Sequence, residues 1–170
     1  MEEAVKTLVT YYSESGNTEK LAKAIYEALG QTDNEIEKIS ETINFAAYDL
    51  IFVGFPVHSS SVPSKVEKSL KRIPEGKMLA LFGTHGSFRG GLLAISAFYH
   101  AITLAPKATL IGTFGCRGAV KPGLLEKLIQ NPEYKFWAME AQSAEGHPDD
   151  ADLEDGRQFA KLMFQKAKQA

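Results

Sequence analysis

Short apolar runs recur along this chain, each closed by a small-residue break and followed by residues at helical spacing. Thr7 to Tyr12, Leu50 to Phe55, Met78 to Phe82 and Thr109 to Phe114 are the clearest. Runs of this length bounded by turn residues read as strands. The middle two are apolar at almost every position, as expected of strands buried on both faces. Glu35 to Ile39 alternates polar with apolar residues and reads as a weaker edge strand.

Between the strands the period changes. Leu21, Ala24, Ile25, Ala28 and Leu29 fall at helical spacing, with Gly30 as the stop. Val66, Leu70 and Ile73 follow Pro63 in a basic amphipathic helix. Further helices are expected over about 91–103, 123–129 and 152–168. Five strands alternating with five helices imply an α/β fold: a doubly wound parallel sheet with helices on both faces. The length of 170 residues suits one domain over 1–170.

Composition removes several classes of function. A formal net charge of −2 leaves no electrostatic footprint for nucleic acid. One cysteine, Cys116, cannot form an internal disulfide, and the absence of Cys pairs argues against structural zinc. No apolar run approaches the roughly 20 residues of a membrane span. The acidic start Met1-Glu2-Glu3 differs from the basic opening of a secretory signal. A cytoplasmic protein, monomeric or weakly dimeric, is therefore expected.

In doubly wound sheets, ligands bind beyond the carboxyl ends of the strands at the switch point. That rule selects three loops: 13–18, 56–62 and 84–91. The first reads Ser13-Glu14-Ser15-Gly16-Asn17-Thr18 and joins a strand to a helix. Its hydroxyls and free N–H groups at a helix N-terminus suit a phosphate. It holds no lysine or arginine, and neither the P-loop nor the dinucleotide fingerprint is present. An ordinary serine N-cap is the competing reading.

Thr10 to Thr18 resembles the FMN phosphate loop of the flavodoxin family, and the similarity of layout extends over essentially the whole chain. The resemblance implies a flavodoxin-like sheet of order 2-1-3-4-5. It implies FMN as the cofactor, with Ser13, Ser15, Asn17 and Thr18 on the phosphate and backbone help from Glu14 and Gly16. The second loop, Pro56-Val57-His58-Ser59, would lie along the flavin ring. Family members often carry tryptophan there, but the only one here is Trp137, far away in sequence. Carriers of this type turn a peptide beside flavin N5, a move that glycine makes inexpensive and His58 does not. His58 could equally be a solvated loop residue.

The third loop would wrap the pyrimidine edge with Thr84, His85, Gly86, Ser87, Phe88, Arg89 and Gly90. Phe88 is the expected outer stacking residue, with His85 as competitor. Arg89 either approaches flavin O2 or faces solvent. Cys116 is expected to be a small buried residue, with Arg117 and Gly118 bordering the site. An acidic run, Glu145 to Asp155, surrounds Gly146-His147-Pro148 and resembles a segment before the last helix in some bacterial flavodoxin-like proteins. It would stabilise that helix's N-terminus or dock a basic redox partner. Three functions follow: an electron carrier serving a partner protein, a two-electron reductase of a quinone, free flavin or other conjugated acceptor, and a non-redox interaction module.

Overall fold

The computed structural model describes residues 4–30 and 33–170. The acidic start at Met1, Glu2 and Glu3 lies outside the described residues. Five parallel strands form one sheet in the order β2-β1-β3-β4-β5. They are β1 (Thr7–Tyr11), β2 (Asn34–Lys38), β3 (Leu50–Pro56), β4 (Met78–His85) and β5 (Thr109–Arg117). The register aligns their starts: Thr7 sits opposite Asn34 and Leu50, Leu50 opposite Met78, and Met78 opposite Thr109. Their carboxyl ends consequently form one common edge.

Side chains alternate across the sheet and build two cores. On one face Val9, Phe52 and Phe82 pack with Leu21 and Ile25 of α1 (Asn17–Ala28) and Met163 of α6 (Asp150–Lys168). On the other, Leu8, Val53 and Leu81 pack with Val66 and Leu70 of α2 (Ser64–Leu70) and Ala101 of α3 (Leu92–Leu104). Fully burying one such Leu or Phe contributes about 2–3 kcal/mol. The β2–β3 connection carries only a 3₁₀ turn, Phe45–Ala47. Among the described residues, no helix is long and apolar enough to cross a membrane.

Two expectations need correction. β4 and β5 run three residues further than the apolar run does, so Thr84, His85 and Arg117 belong to strands, not loops. The ladder continues through them because β4 and β5 stay in register to the His85–Arg117 pair. A sixth helix also exists. After α4 (Pro122–Ile129) comes α5 (Lys135–Gln142), in a stretch to which the sequence pattern assigned no element. Ala138 and Ala141 bury its inner face beside Leu125, with Trp137 partly buried there. Its outer face shows Phe136 and Met139 to solvent, which blurs the apolar period.

Candidate functional site

The first loop is built by a glycine turn into α1. Gly16 takes φ +93° at the N-cap, where its N–H donates to Ser13 Oγ at 3.2 Å. No side chain caps α1, which leaves its leading N–H groups directed at the loop. Thr18 Oγ1 and Thr84 Oγ1 share a buried hydrogen bond of 2.8 Å, tying the loop to the end of β4. Asn17 Nδ2 donates to the Ala119 carbonyl at 3.0 Å, reaching past the end of β5. A Cβ on Gly118 would stand 2.9 Å from that Asn17 nitrogen, so a larger residue there would push the Asn17 amide aside. Hydroxyls, free N–H groups and a helix dipole, with no cation inside the loop, form a donor set suited to a phosphate monoester.

The second loop meets the first where His58 approaches Glu14. His58 Nε2 lies 3.3 Å from Glu14 Oε2, and Tyr12 donates its hydroxyl to Glu14 Oε1 at 3.0 Å. That bond holds the Tyr12 phenol above its usual pKa. His58 and Ser61 exchange two backbone hydrogen bonds, 3.0 and 2.9 Å, closing a tight turn. Ser59 carries that turn at φ +55°. Val57 N–H donates to the Thr84 carbonyl at 2.9 Å, so this loop is fastened beside the third.

The third loop is organised from below by Arg117, which is only 9% exposed. Its guanidinium donates to the carbonyls of Gly86 and Glu140 at 3.0 Å, of Ser87 at 3.2 Å and of Ser143 at 3.0 Å, and to Ser143 Oγ at 3.0 Å. Pulling the Gly86 carbonyl inward turns the Ser87 N–H of the same trans peptide outward. Trp137 Nε1 donates to Ser87 Oγ at 3.0 Å, and Phe88 N–H donates to Glu140 Oε1. Phe88 lies over Arg117, 4.6 Å from centroid to guanidinium, and stays 56% exposed. The tryptophan distant in sequence is therefore the support of the third loop.

Ser13 to Thr18, Pro56 to Ser59, and Thr84 to Gly90 all meet at the carboxyl edge of β1, β3 and β4. Two of these residues sit differently from expectation. Arg89 is neither free toward a ligand nor simply solvated: it donates to Asp152 at 2.8 Å and to Asp155 at 2.7 Å. Its charge is spent on α6. His85 is 6% exposed and its ring packs toward Gly115 and Phe98, so it is not an outer stacking residue. It is held in the ladder opposite Arg117, with its Nδ1 on the Ser87 carbonyl.

The acidic run is partly internal. Asp149 and Asp152 form a reciprocal capping box on α6, and Asp152 Oδ2 also receives His147 Nδ1 at 2.5 Å. Asp155 is paired with Arg89, and Glu154 with Arg157. Cys116 is fully buried, and burial pushes its thiol up to about 12, as a packing residue rather than a reactive one. Sequence reasoning missed the organising roles of Arg117, Trp137 and Glu140. The one available signal was Arg117 itself, a cation ending an apolar run.

These features define a class: a doubly wound sheet whose switch-point edge carries a hydroxyl-rich loop, without a cation, at an uncapped helix N-terminus. The family model described as a flavodoxin domain matches residues 8–161. A flavodoxin-like domain-containing protein BilS of Clostridioides difficile (strain CD3) is 29% identical over 175 residues, covering 96% of this chain and 98% of that one. Oxidised Flavodoxin 2 from Bacillus cereus is similar with a TM-score of 0.63 at 21% identity, covering 95% of this chain and 98% of its own. A flavoprotein from Lactobacillus acidophilus NCFM, solved in complex with FMN, is similar with a TM-score of 0.54 at 24% identity, covering 66% and 93%. The chain belongs to the flavodoxin domain family, a family of FMN-binding flavoproteins.

Proposed function

We propose that this protein binds FMN and carries electrons to a partner protein. The observation that supports this most is the Ser13–Thr18 cradle, with its uncapped helix N-terminus and its bond to β4 through Thr84. In this reading Ser13, Ser15, Asn17 and Thr18 hold the phosphate. Pro56 to Ser59 lie on one side of the ring, and Gly86 to Gly90 on the other, with Phe88 outermost. Thr84 supports both loops. Bound FMN supplies the redox chemistry; the protein's part is to bind it, orient it and exclude water.

A partner, not a small substrate, is favoured by the surface beside the third loop. Phe88 is exposed there, and α5, bonded to that loop through Glu140, shows Phe136 and Met139 to solvent. Clustered exposed apolar residues of this kind mark interaction surfaces. The second reading is a two-electron reductase of a quinone, free flavin or similar acceptor. It draws on the absence of a Trp, Tyr or Phe at Pro56 to Ser59, which leaves room over the ring.

The test begins with the absorption spectrum of the protein after FMN is added and the excess removed. A retained two-band flavin spectrum is expected; a colourless protein overturns the reading and moves the weight to an interaction module. NADH or NADPH is then added. Consumption only when a separate reductase is present fits the carrier. Turnover by this protein alone, accelerated by a quinone, fits the reductase.

A further inference from the structure

We propose that His100 is a positioning residue for the second loop: through Ser61 it fixes the turn from His58 to Ser61, and with it the way that turn meets the flavin. This rests on the reading in which Pro56 to Ser59 lie along FMN, and it adds a residue of α3 to that site.

The turn is anchored on both sides and exposed between. Before it, the Val57 N–H is bonded to the Thr84 carbonyl. After it, Val62 is buried in the core with Val66 and Leu70 of α2. Between these anchors His58, Ser59 and Ser60 are exposed, and Ser59 takes φ +55°. A serine adopts that left-handed conformation at a cost, so the surroundings must hold it. The two backbone bonds between His58 and Ser61 occupy the N–H and the carbonyl of both residues. They close the turn on itself without fastening it to a neighbour.

Two side chains reach out of the turn. His58 Nε2 approaches Glu14 of the first loop at 3.3 Å, but both groups are exposed, and such contacts are weak in water. Ser61 Oγ lies 2.9 Å from His100 Nδ1, and both of these residues are half-buried. Shielding from water makes this the firmer of the two. Glu67 of α2 acts on His100 only through its charge and is itself bonded to Lys71 at 2.6 Å. The mount behind His100 is rigid, because α3 buries Ala97, Ala101 and Leu104.

His100 therefore decides how freely the turn can move. Turning the 58–59 peptide takes the His58 carbonyl away from the Ser61 N–H. While His100 holds Ser61, that partner cannot follow the peptide, and the bond must break. Without His100 the turn can shift as a unit.

The experiment measures amide exchange on the whole chain, and then the two one-electron potentials of FMN added to it. His100→Leu and Ser61→Ala remove the same bond from opposite sides. Each should speed exchange at the His58 and Ser61 amides by about fivefold. The double variant should be no faster than either, because one bond is lost only once. With FMN bound, each should raise the first potential relative to the second, read as a comproportionation constant larger by about threefold or more. His100→Asn, which sets an amide where Nδ1 stands, should return both readouts toward the parent. Ser61→Ala lies in a surface turn and keeps the test decisive if His100→Leu fails to fold. Unchanged exchange in Ser61→Ala, or additive effects in the double variant, would overturn the tether. Faster exchange with unmoved potentials would make His100 a structural strut and overturn its role at the flavin. Faster exchange in a chain that retains no FMN would overturn the FMN reading instead, with the tether standing.

Discussion

Ser59 holds the second loop in a conformation that a serine adopts at a cost. Its φ of +55° is left-handed, and the turn is locked by the two hydrogen bonds between His58 and Ser61. Turning the 58–59 peptide would break the bond that the His58 carbonyl accepts. Ser59→Gly relieves strain of about 1 kcal/mol but gives the unfolded chain more freedom, so the two terms nearly cancel. We therefore expect little change in Tm. With the peptide freed to turn, the first one-electron reduction potential of bound FMN should rise relative to the second, on the order of 50 mV for one hydrogen bond gained. Anaerobic spectroelectrochemical titration of the two proteins measures this. An unchanged gap between the potentials would show that the turn does not face the flavin.

Arg117 acts at the same scale through a different physics. All five of its hydrogen bonds go to carbonyls or a hydroxyl, so the guanidinium serves as a buried fork that gathers peptide oxygens. Lysine keeps the charge and loses the fork. Arg117→Lys should cost about 2 kcal/mol in urea unfolding, with carbonyls of the third loop left unpaired. It should weaken FMN binding and shift the emission of Trp137, which is bonded to Ser87 of the same loop. A destabilised variant with unchanged Trp137 emission and FMN affinity would make Arg117 a strut only.

At the scale of elements, α6 is held at its start by a carboxylate that must stay ionised. Burial of Asp152 acts to raise its pKa. Bonds from His147, the Asp149 N–H and Arg89 outweigh that and hold the carboxyl below its usual value. A depressed folded pKa means the stabilisation is complete above the unfolded value, near 3.9, and is lost as pH falls through the folded one. Stability should therefore drop below about pH 4. Asp152→Asn should flatten that part of the curve while costing about 1 kcal/mol at pH 7. Guanidinium melts between pH 2.5 and 7 would separate the two, and parallel curves would assign the acid sensitivity elsewhere.

The same scale shows what the sequence made legible. β3 and the start of β4 announced themselves because both faces of each are buried, which leaves an unbroken apolar run. The turn from β1 into α1 was legible because its features are local: the hydroxyls, the glycine turn and the helix start are contiguous. The end of β4 was not, because Thr84 and His85 are polar residues kept in the ladder by partners on β5. α5 escaped because only its Ala138–Ala141 side packs inward. Arg89 could not be placed from sequence, since its partners Asp152 and Asp155 lie far along the chain. Contacts between distant segments, such as Trp137 with Ser87, carry no local periodicity to read.

For the whole molecule, the three loops that would hold FMN are also joints between β1, β3, β4 and the segment after β5. A ligand seated among them stabilises the folded state alone, by about 2.7 kcal/mol at one hundred times its Kd. For a chain of this size that corresponds to roughly 5–10 °C in Tm. Ser15 separates binding from folding, because it is exposed and its side chain is free to act on a ligand. Ser15→Ala should melt like the parent without FMN. If its hydroxyl holds the phosphate, a tenfold weaker Kd removes about 1.4 kcal/mol and halves the shift at the same FMN concentration. Riboflavin, which lacks the phosphate, should give a smaller shift and should not distinguish the two proteins. Equal FMN shifts in both would take Ser15 out of the cradle and leave the helix N-terminus and Thr18 to hold the anion.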